Sequence, residues 1–150
     1  MKILMVCLGN ICRSPLAEGI MKHKIAQHRL DWTVDSAGTG SWHIGSKPDS
    51  RSIAVASNHN IDIASQRGRQ ITKEDYSNFD RIFAMDSENY QNIIKLAPND
   101  AAMEKVALIM NQSDPGRNQS VPDPYWNDDG FEKVYQMLNR ACVAFIENHI

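Results

Sequence analysis

A nearly all-apolar run, Lys2–Cys7, opens the chain; Gly9 and Asn10 break it, and Ser14-Pro15 follows shortly after. A short run of this kind is typical of a strand that is covered on both faces of a parallel sheet. Serine followed by proline favours a helix start, because serine caps the first turn and proline fits the first helical position. We therefore predict a strand, a tight loop and a helix from about Ser14 to His28.

The same alternation of strand and helix patterns continues along the chain. Further strands are predicted at Trp32–Ser36, Arg81–Met85 and Lys105–Met110, and further helices at Pro48–His59, at Ser87–Leu96 and from Phe131 onward. Such alternation predicts an α/β fold of the flavodoxin-like or Rossmann-like kind, with a four-stranded parallel sheet and helices on both faces. The length of 150 residues suits one domain that covers residues 1–150.

The net charge and the hydropathy pattern argue against two classes of binding partner. The formal net charge is −2 and the basic residues are scattered, so neither nucleic acid nor an anionic membrane is expected as a partner. The apolar runs fall far short of the roughly 20 residues that span a bilayer, and the first residues do not match a secretory signal. We expect a monomer that works in the cytoplasm.

The three cysteines, Cys7, Cys12 and Cys142, are too few and odd in number for a disulfide framework, so all are predicted to be free thiols. Cys142 lies beside the apolar stripe of the last helix and is assigned to the core. The five histidines show no spacing that would place a metal-binding pair on one helical face. We therefore predict neither a metal ion nor another cofactor.

The loop between the first strand and the first helix contains a cysteine, Cys7, and six positions later an arginine, Arg13. Ligands of parallel α/β sheets bind at the carboxyl ends of the strands, and a loop that enters a helix can point its backbone N–H groups at an anion. Arg13 can hold two phosphate oxygens with its planar guanidinium, and the positive field favours the nucleophilic thiolate of Cys7. The residues predicted to bind phosphate are Leu8, Gly9, Asn10, Ile11, Cys12, Arg13 and Ser14. On the spacing alone, a buried cysteine and a surface arginine would be the favoured explanation of the pair, and the Gly9-Asn10 loop and the Ser14-Pro15 helix start reverse that preference.

A leaving phenolate or alkoxide needs a proton, and Asp123 is the best candidate donor. It lies between Pro122 and Pro124 in a long polar segment, 111–130, that follows the last predicted strand. The prolines restrict the backbone around the carboxyl group, although an aspartate that only forms a turn would fit the same pattern. Asp86, after the third strand, could steady Arg13 or cap the next helix, and we favour the cap.

Two segments together, the run Cys7–Pro15 and Asp123-Pro124-Tyr125, resemble the low-molecular-weight protein tyrosine phosphatase family. Other segments in the same order extend the resemblance over nearly the whole chain: Asp35–Gly38, Pro48-Asp49, Arg69–Thr72 and Ala84–Asp86. The resemblance implies hydrolysis of phosphotyrosine and aryl phosphate monoesters through a phosphocysteine intermediate on Cys7. It also implies that Arg13 binds the phosphoryl group and that Asp123 protonates the leaving oxygen before it activates water.

Further roles are implied by the same resemblance. Asn10, Ser14 and Ser36 would support the loop and the thiolate by hydrogen bonds. The predicted pocket walls are Leu8, Ile11, Trp42, Tyr125 and Trp126, which suit the ring of phosphotyrosine-containing proteins or small aryl phosphates. An arginine-phosphatase branch typically has threonine at the position of Ile11, so Ile11 points to phosphotyrosine.

The chain also departs from the family pattern. Trp126 replaces a frequent second tyrosine, and Gln66 stands where many members have histidine. Asp128 and Asp129 are expected to repel acidic peptides from the pocket mouth.

Two other hypotheses use the same loop. Thiol redox chemistry such as arsenate reduction would need a further cysteine in a mobile loop, and neither Cys12 nor Cys142 lies in one. A phosphotyrosine-binding module without activity would lack the nucleophile or the acid, and this chain has both. Cys12 could form a reversible disulfide with Cys7 that protects the nucleophile, or it could be a buried loop thiol only.

Overall fold

A four-stranded parallel sheet lies at the centre of the computed structural model, which describes all residues, 1–150. The strands are β1 (Lys2–Cys7), β2 (Thr33–Gly38), β3 (Arg81–Ala84) and β4 (Val106–Leu108), in the order β2-β1-β3-β4. Every neighbouring pair is parallel. The predicted α/β class and its four-stranded parallel sheet are confirmed.

Helices cover both faces of this sheet. They are α1 (Arg13–Gln27), α2 (Ser50–Asn58), α3 (Asp75–Asn78), α4 (Ser87–Leu96), α5 (Asp100–Glu104) and α6 (Phe131–Glu147). Three short 3₁₀ helices span Ile109–Gln112, Pro124–Trp126 and Asp128–Gly130. Helices α1, α2 and α6 contribute to one apolar cluster, and α3, α4 and α5 contribute to a second, smaller one.

The side chains of β1 show why both faces must be covered. Ile3 and Met5 lie in the larger cluster, whereas Leu4 and Val6 lie in the smaller one, because successive strand residues point to opposite faces. All four are fully buried. The continuous apolar run in the sequence thus reflects a strand with no face in water.

The strand order positions the loop after β1. From β1 the chain moves to β2 on one side and later to β3 on the other, so the order reverses between β1 and β3. In open parallel sheets the crevice at such a reversal, outside the carboxyl ends of the strands, is the usual ligand site. Cys7 ends β1 at this crevice.

The predicted end of the fourth strand and the predicted cap of the first helix were wrong for physical reasons. The fourth strand ends at Leu108, because Ile109 and Met110 turn into a 3₁₀ helix and bury their side chains in the larger cluster. Ser14 does not cap α1, which begins at Arg13 after Cys12 and has no side-chain cap. The Ser14 hydroxyl is instead engaged with Cys7 and Asn10. The short helices α3 and α5 were not predicted.

Candidate active site

The loop between β1 and α1, with Cys7 before it and Ser14 after it, forms what we call the phosphate loop, residues 7–14. Asn10 adopts a left-handed backbone conformation with φ of 57°, which asparagine tolerates better than most residues and which turns the loop back on itself. The end of β2 lies so close that a Cβ at Gly38 would be 2.7 Å from the Leu8 carbonyl oxygen. Glycine at that position is therefore needed for the loop to pack on the sheet.

Cys7 is 3% exposed, and its sulfur accepts or shares hydrogen bonds from within this loop. The backbone N–H of Asn10 donates to Cys7 Sγ over 3.3 Å, and Ser14 Oγ lies 3.0 Å from the same sulfur. Both groups can donate to a thiolate.

A buried polar network supports Ser14 from behind. The Asn10 side-chain amide donates to Ser14 Oγ over 2.8 Å and to Ser36 Oγ over 3.0 Å, and Ser36 Oγ donates to Glu18 over 2.7 Å. Because Ser14 accepts from Asn10, its own hydrogen can point to Cys7 Sγ at 3.0 Å or to the Ala37 carbonyl at 3.4 Å. The Asn10 amide oxygen accepts from the backbone N–H of Arg69 over 3.0 Å, so both ends of the amide are fixed.

Arg13 is 3% exposed and is anchored through one nitrogen. Its Nη1 donates to Asp86 over 2.6 Å and to the Val121 carbonyl over 2.9 Å, whereas Nε and Nη2 make no hydrogen bond within the chain. Burial acts to lower the pKa of Arg13, but nearby Cys7, Asp86 and Asp123 overcome that effect and raise it. The edge formed by Nε and Nη2 therefore stays charged and available for two anion oxygens.

Asp123 lies on the segment that we call the acid loop, residues 121–130. Its Oδ2 is 3.9 Å from Arg13 Nη2, and its Oδ1 accepts from the backbone N–H of Tyr125 over 3.1 Å. The Asp123 side chain is 39% exposed, so water can reach its carboxyl group. Cys7 and Arg13 of the phosphate loop thus face Asp123, which comes from a segment far later in the chain.

The residues of both loops line one cavity of about 180 Å³. That volume is below the roughly 300 Å³ at which drug-sized pockets begin, so it suits a compact group. The lining residues are Cys7, Leu8, Gly9, Ile11, Cys12, Arg13, Trp42, His43, Asp123, Tyr125 and Trp126. Most of the lining is apolar, and of its charged side chains Arg13 is buried whereas Asp123 is partly exposed, a combination that suits an anionic group carried on an apolar ring.

Comparison with known proteins identifies the family. The sequence model described as "Low molecular weight phosphotyrosine protein phosphatase" matches residues 2–149. The chain belongs to this family. A low molecular weight phosphotyrosine protein phosphatase of Schizosaccharomyces pombe is 40% identical over 153 residues, which cover 99% of this chain and 94% of that protein.

Solved structures show the same likeness. A protein tyrosine phosphatase from Entamoeba histolytica has a TM-score of 0.92 at 38% identity, with 99% of this chain and 96% of that chain covered. A Drosophila arginine phosphatase has a TM-score of 0.93 at 34% identity, with 99% and 98% covered. The family fold is thus shared by enzymes that are named for different phosphorylated residues.

The predicted site residues of this phosphatase family member lie at the cavity or directly behind it. Cys7, Arg13 and Asp123 meet at the cavity, and Asn10, Ser14 and Ser36 form the network behind it. All five predicted pocket residues line the cavity, although Trp126 is 85% exposed and lies at its mouth. Asp86 has both of the roles considered for it, because one oxygen accepts from Arg13 and the other caps α4 at Asn89.

Three residues near the site were missed. Glu18 is buried against Ser36, and its position one helical turn after Ser14 could have indicated that it faces the loop. His43 lines the cavity but has no sequence signal beyond its place next to Trp42. Arg51 pairs with Asp128, which lowers the repulsion that was expected from Asp128 and leaves only Asp129 unpaired.

The remaining cysteines and the departure at Gln66 can be placed as well. Burial, followed by nearby Asp49 and Cys7, raises the pKa of Cys12 to about 12, and burial raises the pKa of Cys142 to about 12. Gln66 donates to the Pro15 carbonyl over 3.1 Å, while its own side-chain oxygen is buried without a partner. No three His, Cys, Asp or Glu side chains form a group that could hold a metal ion, and no helix has the length and apolar character needed to cross a membrane.

Proposed function

We propose that the chain hydrolyses phosphotyrosine and aryl phosphate monoesters through a phosphocysteine intermediate on Cys7, and that residues 1–150 form one phosphatase domain. The observation that carries this proposal is the convergence of the Cys7 sulfur, the unbonded edge of Arg13 and the Asp123 carboxyl on one cavity. Membership of the family and the 40% identity to a named phosphotyrosine phosphatase support the same activity.

In the first step the phosphoryl group lies in the phosphate loop, with two oxygens on Nε and Nη2 of Arg13. The thiolate of Cys7 attacks phosphorus, so an S–P bond forms while the P–O bond to the leaving group breaks. Asp123 enters this step as a carboxylic acid and gives its proton to the leaving oxygen. The backbone N–H groups and Arg13 stabilise charge on the transferred oxygens.

In the second step a water molecule takes the place of the leaving group. The Asp123 carboxylate accepts a proton from that water as its oxygen bonds to phosphorus. The S–P bond breaks and its electron pair returns to Cys7 Sγ, where the Asn10 N–H and the Ser14 hydroxyl stabilise it. The product is inorganic phosphate.

The apolar lining favours an aromatic leaving group. Leu8, Ile11, Trp42 and Tyr125 line the cavity together with the phosphate-binding residues. Phosphotyrosine-containing proteins or small aryl phosphates are therefore the proposed substrates, with no metal or other cofactor. We further propose that the enzyme acts as a monomer, without nucleic-acid or membrane partners, in the cytoplasm, where a reactive thiol stays reduced.

Phosphoarginine is the second candidate substrate, because a Drosophila arginine phosphatase shares the fold at a TM-score of 0.93. Ile11 argues against it. A branched apolar side chain on the cavity wall packs well on a phenyl ring but offers no hydrogen bond to a guanidinium.

The test is turnover of p-nitrophenyl phosphate, phosphotyrosine peptide and phosphoarginine in the presence of a chelator. We expect the two aryl phosphates to be hydrolysed and phosphoarginine to be hydrolysed far more slowly. Cys7→Ser should abolish turnover and still bind phosphate or vanadate, because Arg13 and the loop remain. Turnover by Cys7→Ser close to that of the wild type would refute the mechanism, and faster turnover of phosphoarginine would refute the substrate.

A further inference from the structure

Arg51 does not line the cavity, yet it contacts both of the loops that do. It is the second residue of α2, and its side chain is 31% exposed. No sequence motif singled it out. Because Arg51 contacts both loops, it can influence catalysis even though it does not touch the cavity.

On one side, the start of α2 is joined to the phosphate loop. The backbone N–H of Asp49 donates to the Ile11 carbonyl over 2.8 Å, and the Ser52 hydroxyl donates to the Cys12 carbonyl over 2.8 Å. Asp49 also caps α2 by accepting from the Arg51 backbone N–H. The carboxylate of Asp49 is therefore fixed relative to the phosphate loop.

That carboxylate orients the guanidinium of Arg51. Nε and Nη2 of Arg51 donate to the two oxygens of Asp49, each over 2.9 Å, in a bidentate pair. The paired guanidinium lowers the pKa of Asp49, so the carboxylate stays charged. Bidentate pairs of this kind fix the plane of the arginine as well as its position.

On the other side, the same guanidinium holds the acid loop. Nη2 donates to the Tyr125 carbonyl over 3.1 Å, and Nη1 donates to Asp128. The guanidinium carbon also lies 5.6 Å from the centre of the Tyr125 ring and 4.7 Å from that of Phe131. The contacted residues, Tyr125, Asp128 and Phe131, lie in the acid loop or directly after it.

The position of Tyr125 bears directly on Asp123. The Asp123 carboxyl accepts from the Tyr125 backbone N–H, and its other near neighbour, Arg13, is 3.9 Å away. A shift of Tyr125 would therefore move the carboxyl group. Proton transfer depends steeply on the distance between the acid and the leaving oxygen.

We propose that Arg51 is a positioning residue that connects the phosphate loop to the acid loop and so sets the distance from Asp123 to the leaving oxygen. This inference rests on the proposed function, in which Asp123 is the general acid. Lysine cannot replace Arg51, because one ammonium cannot pair bidentately with Asp49 and also reach Tyr125 and Asp128.

The test compares kcat/KM for phenyl phosphate, whose leaving group needs a proton, with kcat/KM for p-nitrophenyl phosphate, whose leaving group hardly does. Arg51→Met keeps a long apolar side chain and removes the guanidinium. We expect a loss of about 10- to 100-fold on phenyl phosphate and less than about threefold on p-nitrophenyl phosphate, because only the acid is displaced. Arg51→Lys should show the same selective loss.

The control is Arg140→Met, which removes another partly exposed arginine whose partner, Asp114, lies away from the cavity. It should leave both substrates unchanged. Thermal melting of every variant checks that folding is intact, and Arg51→Lys serves if Arg51→Met does not fold.

A double mutant separates the two hypotheses. With Asp123→Asn present, Arg51→Met should add almost no further selective loss, because the two residues act through one proton transfer. If Asp123→Asn alone slows both substrates equally, the acid assignment fails and the inference fails with it. If Asp123→Asn is selective but Arg51→Met slows both substrates equally, or Arg51→Lys behaves as the wild type, the acid assignment stands and the inference is overturned.

Discussion

The phosphate loop and the acid loop meet at one cavity but are built in opposite ways. In the phosphate loop, Cys7, Asn10, Arg13 and Ser14 are each at most 3% exposed and are joined by buried hydrogen bonds. In the acid loop, the Asp123 side chain is 39% exposed and Trp126 is 85% exposed. One side of the site is part of the core, and the other lies at the surface.

The difference corresponds to two tasks. Binding a phosphoryl group and stabilising its charge depend on donors that are already in place before the substrate arrives. A general acid must take up a proton from water in each cycle and must leave room for the departing group. Changes in the phosphate loop should therefore slow all substrates alike, whereas changes in the acid loop should depend on the leaving group.

The largest loss after that of the nucleophile is expected for Arg13→Lys. Lysine cannot hold two oxygens as a planar fork and cannot also keep the bonds to Asp86 and the Val121 carbonyl. We expect kcat/KM to fall by about 10²–10³-fold or more, equally for phenyl phosphate and p-nitrophenyl phosphate. Steady-state kinetics with both substrates measures this, and a loss below tenfold would show that Arg13 mainly stabilises the fold.

A selective loss is expected for Asp123→Asn. General acids contribute about 10²–10⁴-fold, so phenyl phosphate should slow by that factor and p-nitrophenyl phosphate far less. The matched control is Asp129→Asn, which removes an exposed carboxylate from the same loop and should leave kcat/KM near the wild-type value. Equal slowing of both substrates by Asp123→Asn would point to another acid, with Asp86 or Asp128 to be tested next.

A smaller effect, on stability more than on chemistry, is expected for Ser36→Ala. The change leaves an Asn10 amide hydrogen and a Glu18 oxygen buried without their partner. The free energy of unfolding should fall by about 1–3 kcal/mol, with a modest loss of turnover that is equal for all leaving groups. The control is Ser57→Ala, which changes an exposed serine on α2 and should lower the free energy of unfolding by less than about 0.5 kcal/mol. Urea unfolding measures both variants. A selective loss of phenyl phosphate turnover would break the proposed separation between the two loops.

The smallest effect in the resting enzyme concerns Cys12, whose role as a redox partner of Cys7 stays a prediction. Its pKa of about 12 keeps it a thiol at neutral pH, and only the thiolate attacks a sulfenic acid. The Cys7–Cys12 disulfide should therefore form slowly after mild peroxide near neutral pH and faster as the pH rises, because the thiolate fraction grows. Mass spectrometry at about pH 7 and about pH 9 measures the rate.

The matching variant for that experiment is Cys12→Ser, which should lose the disulfide and recover less activity after thiol treatment. If no Cys7–Cys12 disulfide forms in the wild-type protein at either pH, Cys12 is a buried loop thiol only.

How much could be foreseen from the sequence differs between the two loops. The phosphate loop is one contiguous stretch, so the strand before it, its length and the helix after it already place Cys7 and Arg13 at one anion site. The network behind it was expected for Asn10, Ser14 and Ser36 from the family resemblance. Glu18, which completes the network, was overlooked because its carboxylate is buried, and buried carboxylates are rare.

The acid loop was predictable only as a long polar segment with a candidate aspartate. Arg51, which holds the acid loop, lies more than seventy positions earlier in the chain. It is part of a helix whose sequence pattern indicates only which face is apolar. The local pattern also does not show that Asp86 both caps α4 and binds Arg13. Nor does it show that the Ser14 hydroxyl contacts Cys7 instead of capping the helix.

By itself, therefore, the sequence determined the order of the strands and the longer helices, the buried character of β1 and the composition of the phosphate loop. These are properties of neighbouring residues: hydrophobic periodicity, backbone preferences and the geometry of a short turn. The tertiary structure decided where β4 ends, which donors of Arg13 stay available, and how Asp123 is held opposite Cys7. Those outcomes depend on packing and on hydrogen bonds between residues far apart in the chain, for which the local pattern carries no signal.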